Sequence, residues 1–222
     1  MNLSCLTLAI FAVAVACSSE APGRTGKASD GETSAIGGGA GIGRVIGTIR
    51  ASIDGSERTW FVLEARGRGG PESSAFWYEP EPGASRAMIT GYDSPDVTFQ
   101  DLGAADRPLG DYDGSGITLV IDFRPEEGPK TVRFPVDQQT NVLYMPVMAG
   151  GEGSALFQFV EGELDVTSLH APRSGAGTSR GTFSGTMRDL FGSDRSLVVT
   201  GGRFEVEELS YREGLPGGQD RR

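Results

Sequence analysis

Between residues 44 and 212 the chain alternates between hydrophobic and polar positions with a period of two. In RVIGTIRASID (44–54), Val45, Gly47, Ile49, Ala51 and Ile53 fall on one face. Arg44, Thr48, Arg50, Ser52 and Asp54 fall on the other, with Ile46 out of phase. In GITLVIDF (116–123), Ile117, Leu119, Ile121 and Phe123 share a face, and in GTFSGTMRD (181–189) Phe183, Gly185 and Met187 do. This period, with one polar side, predicts strands buried on one face. Asp54-Gly55 lies between two such runs and predicts a hairpin, because the turn needs positive φ. Further strands are predicted at WFVLEA (60–65), RAMITGY (86–92), VTFQDL (97–102), KTVRFPV (130–136), NVLYMPV (141–147), ALFQFV (155–160), GELDVTSL (162–169) and RSLVVTGGRFEVEEL (195–209).

Pro135 and Pro146 fall inside two of these runs and point to edges or bulges, since proline cannot donate to a ladder. Gly201-Gly202 marks a bulge or a turn between two shorter strands, and DLFGSD (189–194) is the turn between two long ones. No stretch sustains a helical pattern. About ten strands with short connections predict an all-β fold, an antiparallel sandwich, with a closed barrel as the alternative.

The first residues follow a different rule. Leu6–Ala16 reads LTLAIFAVAVA, eleven residues with Thr7 alone not apolar. That is too short to cross a bilayer as a helix, which needs about 20 residues, and is the length of the apolar region of an export signal. Ala14, Val15 and Ala16 then lead to Cys17. This resembles the lipobox of bacterial lipoprotein signals. The resemblance implies removal of residues 1–16 as a signal peptide, attachment of a diacylglyceryl group to the Cys17 thiol and acylation of the new amine. Residues 2–5 carry no Lys or Arg, and Ala14 stands where that pattern usually has Leu. Ala14-Val15-Ala16 also reads as an A-x-A cleavage site of a secreted protein, and an uncleaved hydrophobic helix is a third reading. Ser18, in place of an Asp after the cysteine, implies the outer membrane on the same resemblance.

Residues 18–43 (SSEAPGRTGKASDGETSAIGGGAGIG) have no periodicity and almost no apolar content, so they are expected to be a disordered tether. A coil of that length reaches about 25–30 Å. GGGAGIG (37–43) lacks the spacing of a phosphate-binding loop. The predicted organisation is a signal at 1–16, a lipid-anchored linker at 17–43, a β domain at 44–212 and a disordered tail at 213–222.

Composition narrows the partners. Among 222 residues the formal net charge is −10, which repels phosphate backbones and excludes nucleic acid as an expected partner. Cys5 and Cys17 are the two cysteines, so residues 18–222 can hold neither a disulfide nor a thiolate metal site. The expected contacts are the membrane, through the anchor, and a protein or saccharide partner. The run GTFSGTMRDLFGSDRSLVVTGGRFEVEEL resembles the ending of a family of small bacterial lipoproteins of unknown function, through Gly181, Phe183, Gly202, Phe204 and Val206. IRASIDGSERTWF (49–61) resembles that family's opening strand, turn and aromatic. The resemblance implies fold and placement and carries no catalytic residues.

Three constellations could carry chemistry. DYDGSGITLVID (111–122) has the letters of a calcium loop, with Asp111, Asp113 and Ser115 as oxygen ligands, Gly116 sixth and Asp122 twelfth. Arg107-Pro108 cannot begin an entering helix, however, and residues 117–123 alternate as a strand, so a plain turn competes with calcium binding. His170 is the single histidine, and GTSRG (177–181) spells a nucleophile elbow at Ser179, but that elbow needs a following helix that the pattern does not predict. One histidine also excludes a His-based zinc site. Trp60, Trp77 and Tyr78 are candidate ligand-binding aromatics, with FWY (76–78) read as lying in or beside a loop. Closing one end of a β core is the competing role. With no convergent catalytic set, the expectation is a non-catalytic display or binding protein without a cofactor. A saccharide-binding module and an envelope hydrolase are the alternatives.

Overall fold

The computed structural model describes residues 44–67, 70–97, 112, 114–124, 128–135, 140–147, 155–191 and 194–213. Clustering of contacts divides the chain after Gly39, and the described residues all belong to the second unit, Ala40–Arg222. They contain no helix, and the fold is all-β. Eleven strands are formed among the described residues. In chain order they are β1 (Arg44–Ile53), β2 (Ser56–Gly67), β3 (Gly70–Ser73), β4 (Ala75–Glu81), β5 (Ala84–Tyr92), β6 (Gly116–Phe123), β7 (Lys130–Phe134), β8 (Asn141–Met145), β9 (Phe157–His170), β10 (Gly177–Asp189) and β11 (Ser196–Tyr211).

The pairing separates them into two well-bonded blocks. One runs β7–β9–β10–β11–β1–β2–β3, and the other β4–β5–β6–β8. Three junctions of two residue pairs each join the blocks: β11 to β4 through Ser210 and Tyr211, β2 to β5 through Phe61 and Val62, and β8 to β9 through Leu143 and Tyr144. The path therefore returns on itself while most bonding stays within each block, which makes the architecture sandwich-like. The β11–β4 junction is parallel and the other pairings are antiparallel.

One core lies between the blocks. From the first come Ile49, Trp60, Phe157, Leu164, Phe183 and Phe204. From the second come Trp77, Ile89, Ile117, Leu119, Ile121 and Phe123. Close packing at this density makes each of these side chains costly to truncate. The Asp54-Gly55 turn has φ 47° and 80° at its two central residues, the pair of positive values that a tight hairpin demands. Asp54 then fastens the turn to β11: its N–H donates to the Val198 carbonyl at 2.9 Å, and its carboxylate accepts the Val198 N–H at 2.8 Å.

Four expectations are corrected. Val45 is 42% exposed and Ile46 is buried, because the β1–β2 register shifts between Val45 and Gly47 and a bulge turns Ile46 inward. FWY (76–78) belongs to β4 and not to a loop. ALFQFV and GELDVTSL are one strand, β9, with Gly162 inside it at φ 132°. Pro135 and Pro146 stand directly after β7 and β8 and end them, where a missing donor does no harm. Gly201-Gly202 is a bulge within β11, at which the register to both β1 and β10 shifts. In VTFQDL, Val97 lies outside any strand and residues 98–102 fall outside the described residues.

Candidate functional site

Trp60 and Trp77 are 0% and 1% exposed, and Tyr78 is 2% exposed. Trp60 projects from β2 into the core, meets Tyr144 edge-on at 5.8 Å, and donates its Nε1–H to the Ser115 hydroxyl at 3.1 Å. Trp77 packs on Phe123 and Tyr211 and donates to the Pro172 carbonyl at 3.3 Å. On the other face of β4, the Phe76 and Tyr78 rings stand 6.2 Å apart, with the Arg212 guanidinium 4.0 Å from the Phe76 centroid. All three candidate aromatics are thus covered by protein, which is the core-closing role and not an open stacking platform.

Of the calcium candidates, Asp111 and Asp113 lie outside the described residues. Ser115 is buried and its hydroxyl serves Trp60. Asp122 lies on the opposite face of β6 from Ile121 and pairs across the ladder with Arg86 at 2.6 Å. What holds the approach to β6 is Asp93. Its carboxylate accepts the Tyr112 hydroxyl and, at 2.7 Å, the Ser115 N–H, while its own N–H donates to the Ser115 carbonyl at 3.2 Å. Burial alone would raise this carboxyl, but the donors from Tyr112 and Ser115 outweigh it and hold it below the usual carboxylate range. Leu63, Tyr92 and Val97 form a second apolar cluster here, packed by Phe61, Tyr112 and Met145.

His170 ends β9 and is exposed, whereas Ser179 is fully buried in β10 with Leu169 and Val206 as its ladder partners. Strand β10 runs on through Ser179, with register shifts beside it on both edges, so no strand-to-helix elbow forms, and Ser179 points inward while His170 is exposed.

Tyrosines set an alkaline limit. Burial pushes the Tyr92 hydroxyl up to about 12, against a lowering by Arg212. Burial also raises Tyr112, with Asp93 adding to it, and raises Tyr144. For each, the folded state holds its proton longer than the unfolded chain, whose tyrosines ionise near pH 10. Stability is therefore expected to be full below about pH 10 and to fall as pH rises from there toward 12, by about 2–3 kcal/mol for Tyr92 alone. Urea melts at pH 9, 10 and 11 check this; flat midpoints across that range would contradict it.

An open polar feature lies on the outer face of β9, β10 and β11. It is a groove of ≈ 370 Å³, walled by Glu163 and Asp165 on one side and Arg203 on the other, with Thr182, Ser184 and the Gly201-Gly202 bulge along its floor. Cross-strand register makes it a built surface. Asp165 faces Thr182, Glu163 faces Ser184, and Thr182 faces Arg203, which in turn faces Arg50 of β1. Arg133 holds Glu163 at 2.8 Å and the Thr131 hydroxyl donates to Asp165. The sequence shows these residues as polar positions of separate strands. No local signal places Arg50 opposite Arg203, and only the paired glycines mark an irregularity there.

No protein-family model, no curated protein and no solved structure matches this chain.

Proposed function

We propose that this chain is a lipid-anchored protein of the bacterial cell envelope, held in the outer membrane through Cys17 and displaying a non-catalytic β domain that binds a partner. The observation that carries the reading is the order of segments. An eleven-residue apolar run and three small residues lead to Cys17, and a Gly/Ser-rich stretch then runs to Arg44, the first residue of β1. Each buried methylene contributes about 0.8 kcal/mol, so one acyl chain holds marginally and two or three hold stably.

The fold is compatible with display. Arg44 sits beside Glu64 and Glu208 at one end of the β1–β2–β11 ladder. The Asp54-Gly55 turn, Asp189 and Arg195 lie at the other end.

The test is a Cys17→Ser chain expressed in a bacterium beside the parent. The parent is expected to sediment with membranes and to incorporate radiolabelled palmitate, and Cys17→Ser is expected to lose the label completely. A parent chain recovered unlabelled in the medium would establish the secreted reading instead.

A further inference from the structure

We infer that the outer face of β9, β10, β11 and β1 binds an acidic saccharide, with Arg50 and Arg203 holding its anionic group and the groove beside them holding its hydroxyls. This names the ligand class of the displayed domain. It rests on the domain's being a binding module and is independent of the anchor.

The first argument is the arginine pair. Arg50 and Arg203 are exposed and directly opposite in the β1–β11 register. Side chains so placed have Cβ atoms about 4.5–5.5 Å apart, and like charges there repel. Arg44, Arg86, Arg133, Arg173 and Arg180 each hold a carboxylate; of the described arginines outside ion pairs, Arg58 faces Ala51 and Arg188 faces Ser196, whereas Arg50 and Arg203 face each other. Among the described residues neither Arg50 nor Arg203 is in an ion pair, in a chain of net charge −10. Of the carboxylates on this face, Glu205 is already taken by Arg180 at 2.8 Å, and Glu57 stands diagonal to Arg50, opposite Ser52. Two unpaired arginines opposite each other can bring both planar guanidinium groups to one carboxylate, sulfate or phosphate.

The second argument is what lies beside them. Thr182 and Ser184 present hydroxyls that both donate and accept, and Asp165 and Glu163 keep lone pairs beyond those used by Thr131 and Arg133. Gly201, where an added Cβ would have no atom within 4 Å, leaves the floor open to close approach. The carboxylate wall repels a dense polyanion such as a nucleic acid but accepts hydroxyl donors. A ligand with one anionic group and several hydroxyls satisfies both walls, and a hexuronate is the simplest example. Because the face is exposed, its affinity for one such unit is modest, with Kd about 0.1–1 mM.

The experiment uses the full chain in detergent micelles, followed by amide and arginine Nε NMR signals at fixed ionic strength. The probes are galacturonate, neutral galactose and inorganic phosphate. Galacturonate is expected to shift the signals of Arg50, Thr182, Ser184 and Arg203. Arg50→Gln combined with Arg203→Gln is expected to weaken binding at least tenfold. The melting temperature of that variant should stay unchanged or rise by about 1–2 °C, because repulsion is removed. Undiminished binding by the double variant, equal binding of the neutral sugar, or phosphate binding as tightly as the uronate would each overturn the inference. So would no shift with any probe. An acylated chain that ignores galacturonate overturns this inference alone; an unacylated chain that binds it overturns the anchor alone.

Discussion

Replacing Trp60 with alanine is expected to lower the folding free energy by about 3–5 kcal/mol, among the largest losses that one truncation can cause here. The indole is fully buried where β1, β2 and the β6–β8 block meet, so its removal leaves a hole lined by side chains from both blocks. Tyr144 loses its edge-on ring contact at 5.8 Å. The Ser115 hydroxyl, itself 2% exposed, loses the Nε1–H that it accepts at 3.1 Å. An unmade bond at a buried polar atom adds its own desolvation cost to the cavity. Trp60→Phe separates the two effects. It keeps most of the ring volume but not the donor, and is expected to cost about 1–2 kcal/mol. Urea unfolding followed by far-UV circular dichroism measures both. A loss under about 1.5 kcal/mol for the alanine variant would contradict close packing at this junction.

Gly162→Ala is expected to cost about 3 kcal/mol or more, although it adds a single methyl group to a half-buried position. Gly162 lies inside β9 at φ 132°, a conformation that L side chains rarely adopt, and such strain costs about 1–3 kcal/mol. It also faces Gly185 directly across the β9–β10 ladder and Phe134 of β7 on its other edge. A Cβ built there runs into the Ser184 carbonyl oxygen and stands 2.5 Å from the Gly185 Cα, so the two backbones must part. Gly128→Ala is the control. Gly128 has no atom within 4 Å of the added carbon, and its substitution is expected to be neutral within about 0.5 kcal/mol. Equal melting curves for the two variants would show that β9 tolerates a side chain at its kink.

These two residues also show how far the sequence could be read. The alternation in GITLVIDF appears in the structure as the inward set Ile117, Leu119, Ile121 and Phe123, because one face of β6 meets the core. The same signal vanishes in β4. Ala75, Phe76, Trp77 and Tyr78 are all buried, with Trp77 in the core and Arg212 over Phe76 on the other face. A strand covered on both sides has no polar phase, and Pro80 and Pro82 complete the look of a loop. Gly162 looked like a boundary between strands for a related reason. Glycine marks both breaks and kinks, and only the pairing on either side of it distinguishes them. Ile46 escaped because a bulge changes the phase without changing any letter.

The groove was less legible than the core. Arg50, Thr182 and Arg203 are ordinary outward positions of three strands, and their meeting is a consequence of register. Register depends on the turns and on the Gly201-Gly202 bulge together, so no single segment encodes it. The proposed role of Cys17 is the reverse case: it rests on neighbouring letters and on no fold at all.

Intact mass of the membrane-extracted chain tests the central claim most directly. The account predicts a polypeptide beginning at Cys17, heavier than its sequence by a diacylglyceryl group with or without an amide-linked acyl chain. A chain that begins elsewhere, or begins at Cys17 with an unmodified thiol and amine, would contradict it.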